Sequence, residues 1–315
     1  MATTNSLTTT YSGEFAGEYI GPALLSGVTL DSGAVTIKGN VKFKEVLKKL
    51  DTDALIKDQS CDFDPTSTIT ITERILQPEY QQVNLQLCKD DFRSDWEAAS
   101  MGYSAHDSLP PKFSDFIIGR VSAQVAEKTE QNLWRGVTAN NGEFDGLTTL
   151  MSVDASLPSG QEVAGTTVTS SNVIGQLGSI VDSVPSQVLY KDDLHIYVST
   201  NIFQAYKRAL GGFASNVGAA GVRDLGPNQN INIEMFDGIK VFRAAGLSDN
   251  TAVAAEKSNL YFGTGLLSDH QEVKVIDMAD IDGSQNVRIV MRFTAGAQYG
   301  NIEDIVTYGI TNSAN

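Results

Sequence analysis

Three histidines, His106, His195 and His270, are the side chains of this chain best suited to acid–base or metal chemistry at neutral pH. They lie far apart in the sequence, and none has metal-ligand spacing or stands beside a nucleophile in a G-x-S-x-G turn. His195 falls within a run that alternates as a β-strand does. This position favours a structural histidine, and the sequence predicts no catalytic histidine.

One acidic run resembles a calcium loop. Asp277, Asp280 and Asp282 precede Gly283, but the first ligand is displaced and Ile289 stands where the closing glutamate belongs. A polar turn between two strands is predicted instead.

Other carboxylate pairs are adjacent in sequence, at Asp90–Asp91 and Asp192–Asp193. Neighbouring side chains point apart on a strand, so nothing marks either pair as a general acid and base. Phosphate-binding and dinucleotide-binding glycine motifs are also missing from the sequence. We therefore expect no enzyme activity, no cofactor and no bound metal.

The two cysteines, Cys61 and Cys88, are too few for a disulfide framework and suit a reducing compartment. Free thiols are expected, and pairing between them stays open.

The composition describes an acidic globular chain of 315 residues, with 23 Lys and Arg against 38 Asp and Glu, a net charge of −15. This balance argues against an extended surface that grips a phosphate backbone, because such binding needs clustered cations. The N-terminus lacks the pattern of a secretory signal, and no run is long and apolar enough to span a membrane.

The elements that must position any functional surface begin with a β-rich span between Val41 and Leu87. The run STITITERI at 67–75 alternates β-branched residues with polar ones, which predicts a strand. A polar segment that includes Asp58 and Asp64 separates it from an earlier alternation. A long β-hairpin with a solvated tip is predicted. Because an isolated hairpin is marginal, it needs a partner surface, either on a neighbour or on its own domain.

The clearest helix is predicted at 114–135, after Pro110 and Pro111, with Ser114 as its cap and Gly136 as its stop. Apolar residues recur every three or four positions and form one stripe. The opposite face, with Arg120 and Glu127, reads as solvated.

A second lobe of α/β type is predicted after a loop-rich crossing at 140–171. Its signals are a helix capped by Ser171 and ended by Pro185, a strand at 194–198, a helix at 201–210, a flexible loop at 211–229 and a hairpin turning at Asp237-Gly238. Further strands are predicted at 260–262, 273–276, 287–293 and 302–308. Residues 1–37, with Tyr11, Phe15 and Tyr19, fit no single period; they predict an arm lying on another surface, or a poorly ordered terminus.

This order of parts resembles the major capsid proteins of tailed bacteriophages, which have the Hong Kong ninety-seven-type fold. The most specific likeness is in the closing segments NLYFGTGLLSD (259–269), VKVIDMAD (273–280) and VRIVMRFTAGAQYG (287–300), and the opening GEFAGEYI (13–20) is similar to the family's arm.

The resemblance implies an α+β fold in four parts. They are an N-terminal arm (1–37), an extended β-hairpin loop (38–92), a peripheral domain (93–150 and 268–298) with the spine helix 114–135, and an α/β axial domain (151–267 and 299–315).

The implied function is that of a major capsid protein, a virion component that assembles in the host cytoplasm into pentamers and hexamers. These form the icosahedral shell that encloses the double-stranded DNA genome. Its implied partners are other copies of itself, a portal, and separate scaffold or cement proteins; the DNA contact would not be sequence-specific, and no membrane is involved. Expected contacts between subunits are Tyr11, Phe15, Tyr19, Asp58, Phe63, Asp64, Arg120, Glu127, Arg223 and Asp224. Three alternatives are an encapsulin-like compartment, an uncharacterised enzyme with a site assembled from distant residues, and a β-rich adhesin or tail component, against which the spine helix counts.

Overall fold

The computed structural model describes residues 10–11, 28–53, 56–59, 61, 67–88, 111–210, 233–265 and 273–314. Two six-stranded sheets and a separate two-stranded sheet organise this part of the chain. None of its helices is long and apolar enough to cross a membrane.

The first sheet is built around one long strand, β13 (Asn286–Tyr299). One edge of β13 pairs with β5 (Glu79–Cys88), and the other pairs first with β12 (Val273–Asp277) and then with β11 (Leu260–Thr264). Short outer strands complete the sheet, β1 (Thr10–Tyr11) beside β12 and β2 (Thr36–Lys38) beside β11. Side chains of β13 alternate between buried and accessible positions, so the sheet has one core face and one outward face.

Helix α2 (Pro111–Arg135) contributes its apolar stripe to the same core as that sheet. The helix begins at Pro111, so the prediction of a start at Ser114 was wrong. Proline is favoured in the first helical turn because its missing N–H has no intrahelical partner there. The predicted end is confirmed at Arg135. Gly136 is required by a close approach, since a Cβ there would lie 2.1 Å from the carbonyl oxygen of Phe144.

The second sheet has the order β6, β14, β10, β7, β9, β8. Its strands are β6 (Glu162–Val163), β7 (Leu194–Val198), β8 (Ile233–Phe236), β9 (Ile239–Arg243), β10 (Ala252–Glu256) and β14 (Val306–Tyr308). Every residue of β7 is buried, because β7 lies between other strands and both sheet faces are covered. The turn between β8 and β9 confirms the predicted hairpin: Asp237 and Gly238 have positive φ of 48° and 81°, as a two-residue hairpin turn requires.

Helices α4 (Val173–Asp182) and α5 (Thr200–Ala209) pack on one face of the second sheet. The predicted cap at Ser171 was wrong. Asn172 occupies that position, and its Oδ1 accepts a hydrogen bond from the Thr169 N–H at 2.7 Å. The opposite face, with Tyr197 and Phe242, joins the core of the first sheet.

Residues 28–37, assigned to the arm from sequence, instead belong to the body formed by the two six-stranded sheets and their helices. Helix α1 (Val28–Asp31) and β2 place Leu30, Ala34 and Val35 in the main core. The sequence pattern of residues 1–37 does not predict these two elements, because α1 and β2 are each only three or four residues long. The crossing at 140–171 likewise contains a short helix, α3 (Leu147–Met151), whose two end residues are fully buried.

The separate sheet is a hairpin of β3 (Glu45–Asp53) and β4 (Thr68–Leu76). The resemblance implies that residues 38–92 form one extended loop. However, β5 lies within this range and is a strand of the first sheet. The projecting part is therefore confined to the segment between Glu45 and Leu76.

Candidate interaction surface

His195 has a structural role. Its ring is buried, stacks against Tyr197 with centroids 5.9 Å apart, and places Nδ1 2.7 Å from the carbonyl oxygen of Asp193. Burial lowers the pKa of His195, so the neutral imidazole is favoured. His106 and His270 lie outside the described residues.

The carboxylates of the apparent calcium loop close a turn, as predicted. Asp277 accepts the Ala279 N–H at 3.0 Å, and Asp282 accepts the Ser284 N–H at 2.9 Å. Gly283 adopts φ of 73° at the end of helix α6 (Ala279–Asp282). Within the described ranges, no three His, Cys, Asp or Glu side chains are grouped as metal ligands.

The remaining candidate groups are carboxylates and cysteines. Those that the structure describes make local hydrogen bonds or are free thiols. Asp193 accepts the Ser258 hydroxyl at 2.6 Å, while Asp90 and Asp91 lie outside the described residues. Cys61 is exposed, Cys88 is half-buried, and both are free thiols.

A cleft of about 570 Å³ lies beside Thr166, Asn250 and Gly309. Two polar side chains of its lining are committed to the fold: Asn250 Oδ1 accepts hydrogen bonds from Val168 N–H at 2.8 Å and from the Asn201 amide at 2.9 Å, and Glu162 Oε1 accepts one from Asn312 N–H at 3.0 Å. The enzyme alternative would need further polar groups that converge on this cleft.

The hairpin of β3 and β4 exposes a continuous apolar face. In the antiparallel register Val46 is opposite Ile75, Leu50 is opposite Ile71, and Ile69 is opposite Thr52, so all of these side chains share one face. The five apolar members are between 44% and 65% exposed. One exposed ion pair, Lys48–Glu73 at 3.7 Å, interrupts the face. We call this surface the hairpin face.

The opposite side of the hairpin is attached to the body. Arg74 binds Asp154 at 2.6 Å and lies over the Tyr299 ring at 4.5 Å, while Lys49 binds Glu303 at 2.6 Å. Leu76 is fully buried at the base. These contacts hold the base of the anchored side against the body, and the apolar face lies on the opposite side of the hairpin.

The Arg74 contact belongs to a small polar network. The Tyr299 hydroxyl donates to Asp154 at 2.7 Å, and the Ser156 N–H donates to the same carboxylate at 2.9 Å. Burial acts to raise the pKa of Asp154, but these donors and Arg74 hold it below its ordinary value. Asp154 therefore stays ionised at neutral pH and keeps the hairpin anchored.

A buried carboxyl group joins the N-terminal segment to α2. Glu130 accepts hydrogen bonds from the N–H and the hydroxyl of Thr29, and from the N–H of Gly246. The Trp134 indole N–H donates to the Thr29 hydroxyl at 3.1 Å. Burial raises the pKa of Glu130, since desolvation outweighs these donors.

The contact residues expected from sequence are only partly described. Tyr11 pairs through its backbone with Val275 at the edge of the first sheet. Asp58 is exposed, and Glu127 is exposed on α2, accepting the Gln131 amide at 3.4 Å. Arg120 lies on α2 with its side chain undescribed, and Phe15, Tyr19, Phe63, Asp64, Arg223 and Asp224 lie outside the described residues.

The structure adds Leu50, Ile71, Lys49 and Arg74, which sequence reasoning did not select. The period-two pattern at 67–75 signalled a two-faced strand. It did not show which face was covered, because that depends on Asp154 and Glu303, which are distant in sequence.

Comparison with known proteins gives structural matches only. No family model and no curated protein sequence matches the chain. Solved structures do match. The chain superposes on the cyanophage A-1(L) capsid asymmetric unit with a TM-score of 0.61 at 13% identity, covering 92% of this chain and 94% of that one.

Two further structures give the same result. The capsid of an empty GTA particle matches with a TM-score of 0.60 at 9% identity, covering 90% of both chains. A structure of Mycobacterium phage Adephagia matches with a TM-score of 0.57 at 14% identity, covering 87% of both chains. At these identities the likeness shows the fold: the chain has the α+β fold of phage capsid proteins, which confirms the fold predicted from sequence.

Proposed function

We propose that this chain is the major capsid protein of a tailed phage, assembling into pentamers and hexamers that enclose double-stranded DNA. The observation that carries the proposal is the hairpin, which is anchored on one side and exposes a continuous apolar face on the other. The shared fold supports the same conclusion.

Burying the hairpin face against a partner would be energetically favourable. Fully burying a Leu or Ile side chain is worth about 1.5–3 kcal/mol, so covering five half-exposed ones gains roughly 1 kcal/mol each. A soluble monomer rarely keeps such a contiguous patch uncovered. Docking on a second copy would cover it, and a contact that repeats from copy to copy in a head-to-tail manner closes into rings.

Charge sets the conditions of assembly. At −15 per chain, copies repel one another, so added salt should favour association until the apolar contacts dominate. The same charge suits a wall that does not hold the genome tightly. Portal, scaffold and cement proteins are further partners under this proposal, which places assembly in the host cytoplasm and the product in the virion.

The four-part division also stands as a proposal, with its boundaries adjusted to the strands. The arm would end before Val28, and the extended loop would be the 45–76 hairpin. The peripheral domain would include β5, α2 and the first sheet, and the axial domain the second sheet. The proposed contacts between subunits are Tyr11, Phe15, Tyr19, Asp58, Phe63, Asp64, Arg120, Glu127, Arg223 and Asp224, to which we add the hairpin face.

The test is electron microscopy with mass photometry of the purified chain across a salt series, using two variants on neighbouring positions of β4. Ile71→Gln changes the hairpin face, and Thr70→Gln introduces the same side chain on the anchored side. We expect rings or shells from the wild type and from Thr70→Gln, and smaller species from Ile71→Gln.

Three outcomes would contradict the proposal in whole or in part. A monomer or dimer in every condition, including co-expression with a scaffold from the same genome, would return the enzyme alternative. Shells that form equally well from Ile71→Gln would remove the hairpin face from assembly. Particles that enclose an enzyme in place of a genome would support the encapsulin-like alternative.

A further inference from the structure

The outward face of the first sheet has a charge unlike that of the whole chain. On β5, β12 and β13 its exposed side chains include Lys274, Arg288 and Arg292, with Gln82, Asn84 and Gln86 beside them. None of the outward-facing residues that the structure describes on these three strands is acidic, although the chain carries a net charge of −15. The described residues of this sheet face therefore carry positive charge, opposite in sign to the net charge of the chain.

The three cations surround one apolar position. Arg288 and Arg292 are four residues apart on β13, about 13 Å at the rise of a strand. Lys274 is opposite Val290, which lies midway between them. The Arg288 guanidinium is oriented by its Nε, which donates to Gln86 Oε1 at 2.9 Å.

The surface between these cations is concave. A groove of about 670 Å³ is lined by Tyr80, Lys274, Ile276, Val290 and Arg292 among others. A smaller depression of about 270 Å³ continues it past Val290 to Arg288 and Asn84. The floor is apolar, and Tyr80, at 82% exposure, stands at the side.

The size of the groove and its apolar floor distinguish between two kinds of anionic ligand, a nucleic acid duplex and an acidic peptide. A nucleic acid duplex is held by many phosphate contacts along an extended surface, whereas this patch offers three cations within about 13 Å. Phosphates also leave an apolar floor unfilled. A short peptide with carboxylates on both sides of an apolar side chain can pair with the two arginines and cover the apolar floor at the same time.

We propose that the outward face of the first sheet binds a short acidic segment of a separate protein. Carboxylates of that segment pair with Arg288 and Arg292, and an apolar side chain covers Val290 between them. The hairpin face of a second copy does not fit this description, because its charged residues are the single Lys48–Glu73 pair. The binding site lies on one chain and does not depend on a shell.

The test is fluorescence anisotropy of the labelled peptide Gly-Glu-Phe-Glu-Val-Glu-Gly titrated with the purified full-length chain. We expect binding that weakens as salt increases, and no binding of the peptide in which lysine replaces each glutamate. Arg292→Glu should weaken binding about tenfold or more, the loss expected for a charge-assisted hydrogen bond. Lys42→Glu, which makes the same charge change at an exposed position elsewhere, should stay within about twofold.

Circular dichroism of both variants checks that the fold is intact. Equal affinities of the wild type and Arg292→Glu would overturn the proposal. Binding of a 20-base-pair duplex with no binding of the acidic peptide would assign the face to nucleic acid instead. A change in self-association of Arg292→Glu, with no peptide binding by the wild type, would assign it to contacts between copies.

Discussion

The hairpin and the second sheet use similar strands with opposite outcomes. β4 reads TITITERIL and most of its side chains are exposed, whereas β7 reads LHIYV and all of its side chains are buried. Both runs have strong β-propensity, so local preference does not separate them. The difference lies in what packs against each strand: β7 is covered on both faces, whereas β4 is covered only near the base of the hairpin, at Arg74 and Leu76. Burial in this protein thus depends on what packs against a strand, and the uncovered strand is the one available to a partner.

The largest expected effect tests this comparison with one residue type. Ile196→Ala in β7 removes a fully buried side chain and should lower the free energy of unfolding by about 2–5 kcal/mol. Ile69→Ala on the hairpin face should change it by less than about 0.5 kcal/mol in the unassembled chain. Urea denaturation of both variants measures this, and similar losses would contradict the comparison.

A smaller effect on the free energy of unfolding is expected at Glu130, whose carboxyl group is buried. In Glu130→Gln the amide NH₂ replaces an oxygen that accepts an N–H, so a buried donor loses its acceptor. The expected loss is about 1–3 kcal/mol of unfolding free energy. The gel-filtration profile at neutral pH should not change.

The same variant has a defined pH dependence. Because burial raises the pKa of Glu130, proton binding favours the folded chain. This contribution is complete below the ordinary value of 4.5 and is lost as pH rises through the raised pKa. The stability advantage of the wild type over Glu130→Gln should therefore shrink as pH rises from 4. A constant difference across that range would contradict the assignment.

The anchor of the hairpin should be weaker than the core contacts. Arg74→Gln removes a partly exposed ion pair with Asp154, with an expected loss of about 1 kcal/mol. The loss should decrease at high salt, which screens the pair in the wild type. Proteolysis within 54–66 followed by mass spectrometry provides a second readout, since a loosened hairpin is cleaved faster.

The smallest effect is expected at the ion pair that interrupts the hairpin face. Lys48 and Glu73 are both more than half exposed, so Lys48→Gln should change the free energy of unfolding by less than about 0.5 kcal/mol. In the assembly assay, Lys48→Met should lower the salt concentration at which larger species form, because it completes the apolar face. Assembly weaker than that of the wild type would show that the pair contacts a partner.

Much of the fold was predictable from local patterns. The Asp237-Gly238 turn, strand 194–198, the end of α2 at Arg135 and the polar turn before Gly283 all follow from rules that involve neighbours in sequence. Two errors were shifts of a helix start, at Ser114 and Ser171, and a larger one fell where a short segment gains its structure from distant contacts. Residues 28–38 are held by Glu130 and by β11, and no periodicity in so short a run indicates this.

The features of the candidate surfaces also divide into those that the sequence predicts and those that depend on distant contacts. By itself the sequence determined an acidic chain, alternating strands at 67–75 and 287–293, a long amphipathic helix, and the lack of a motif for catalysis. Only the tertiary structure decided that one side of the hairpin is anchored by Asp154 and Glu303, and that Lys274, Arg288 and Arg292 share one sheet face. The physical reason is that an alternating pattern fixes which side chains are neighbours on a strand, whereas their burial and their shared field depend on strands and loops far away in the chain.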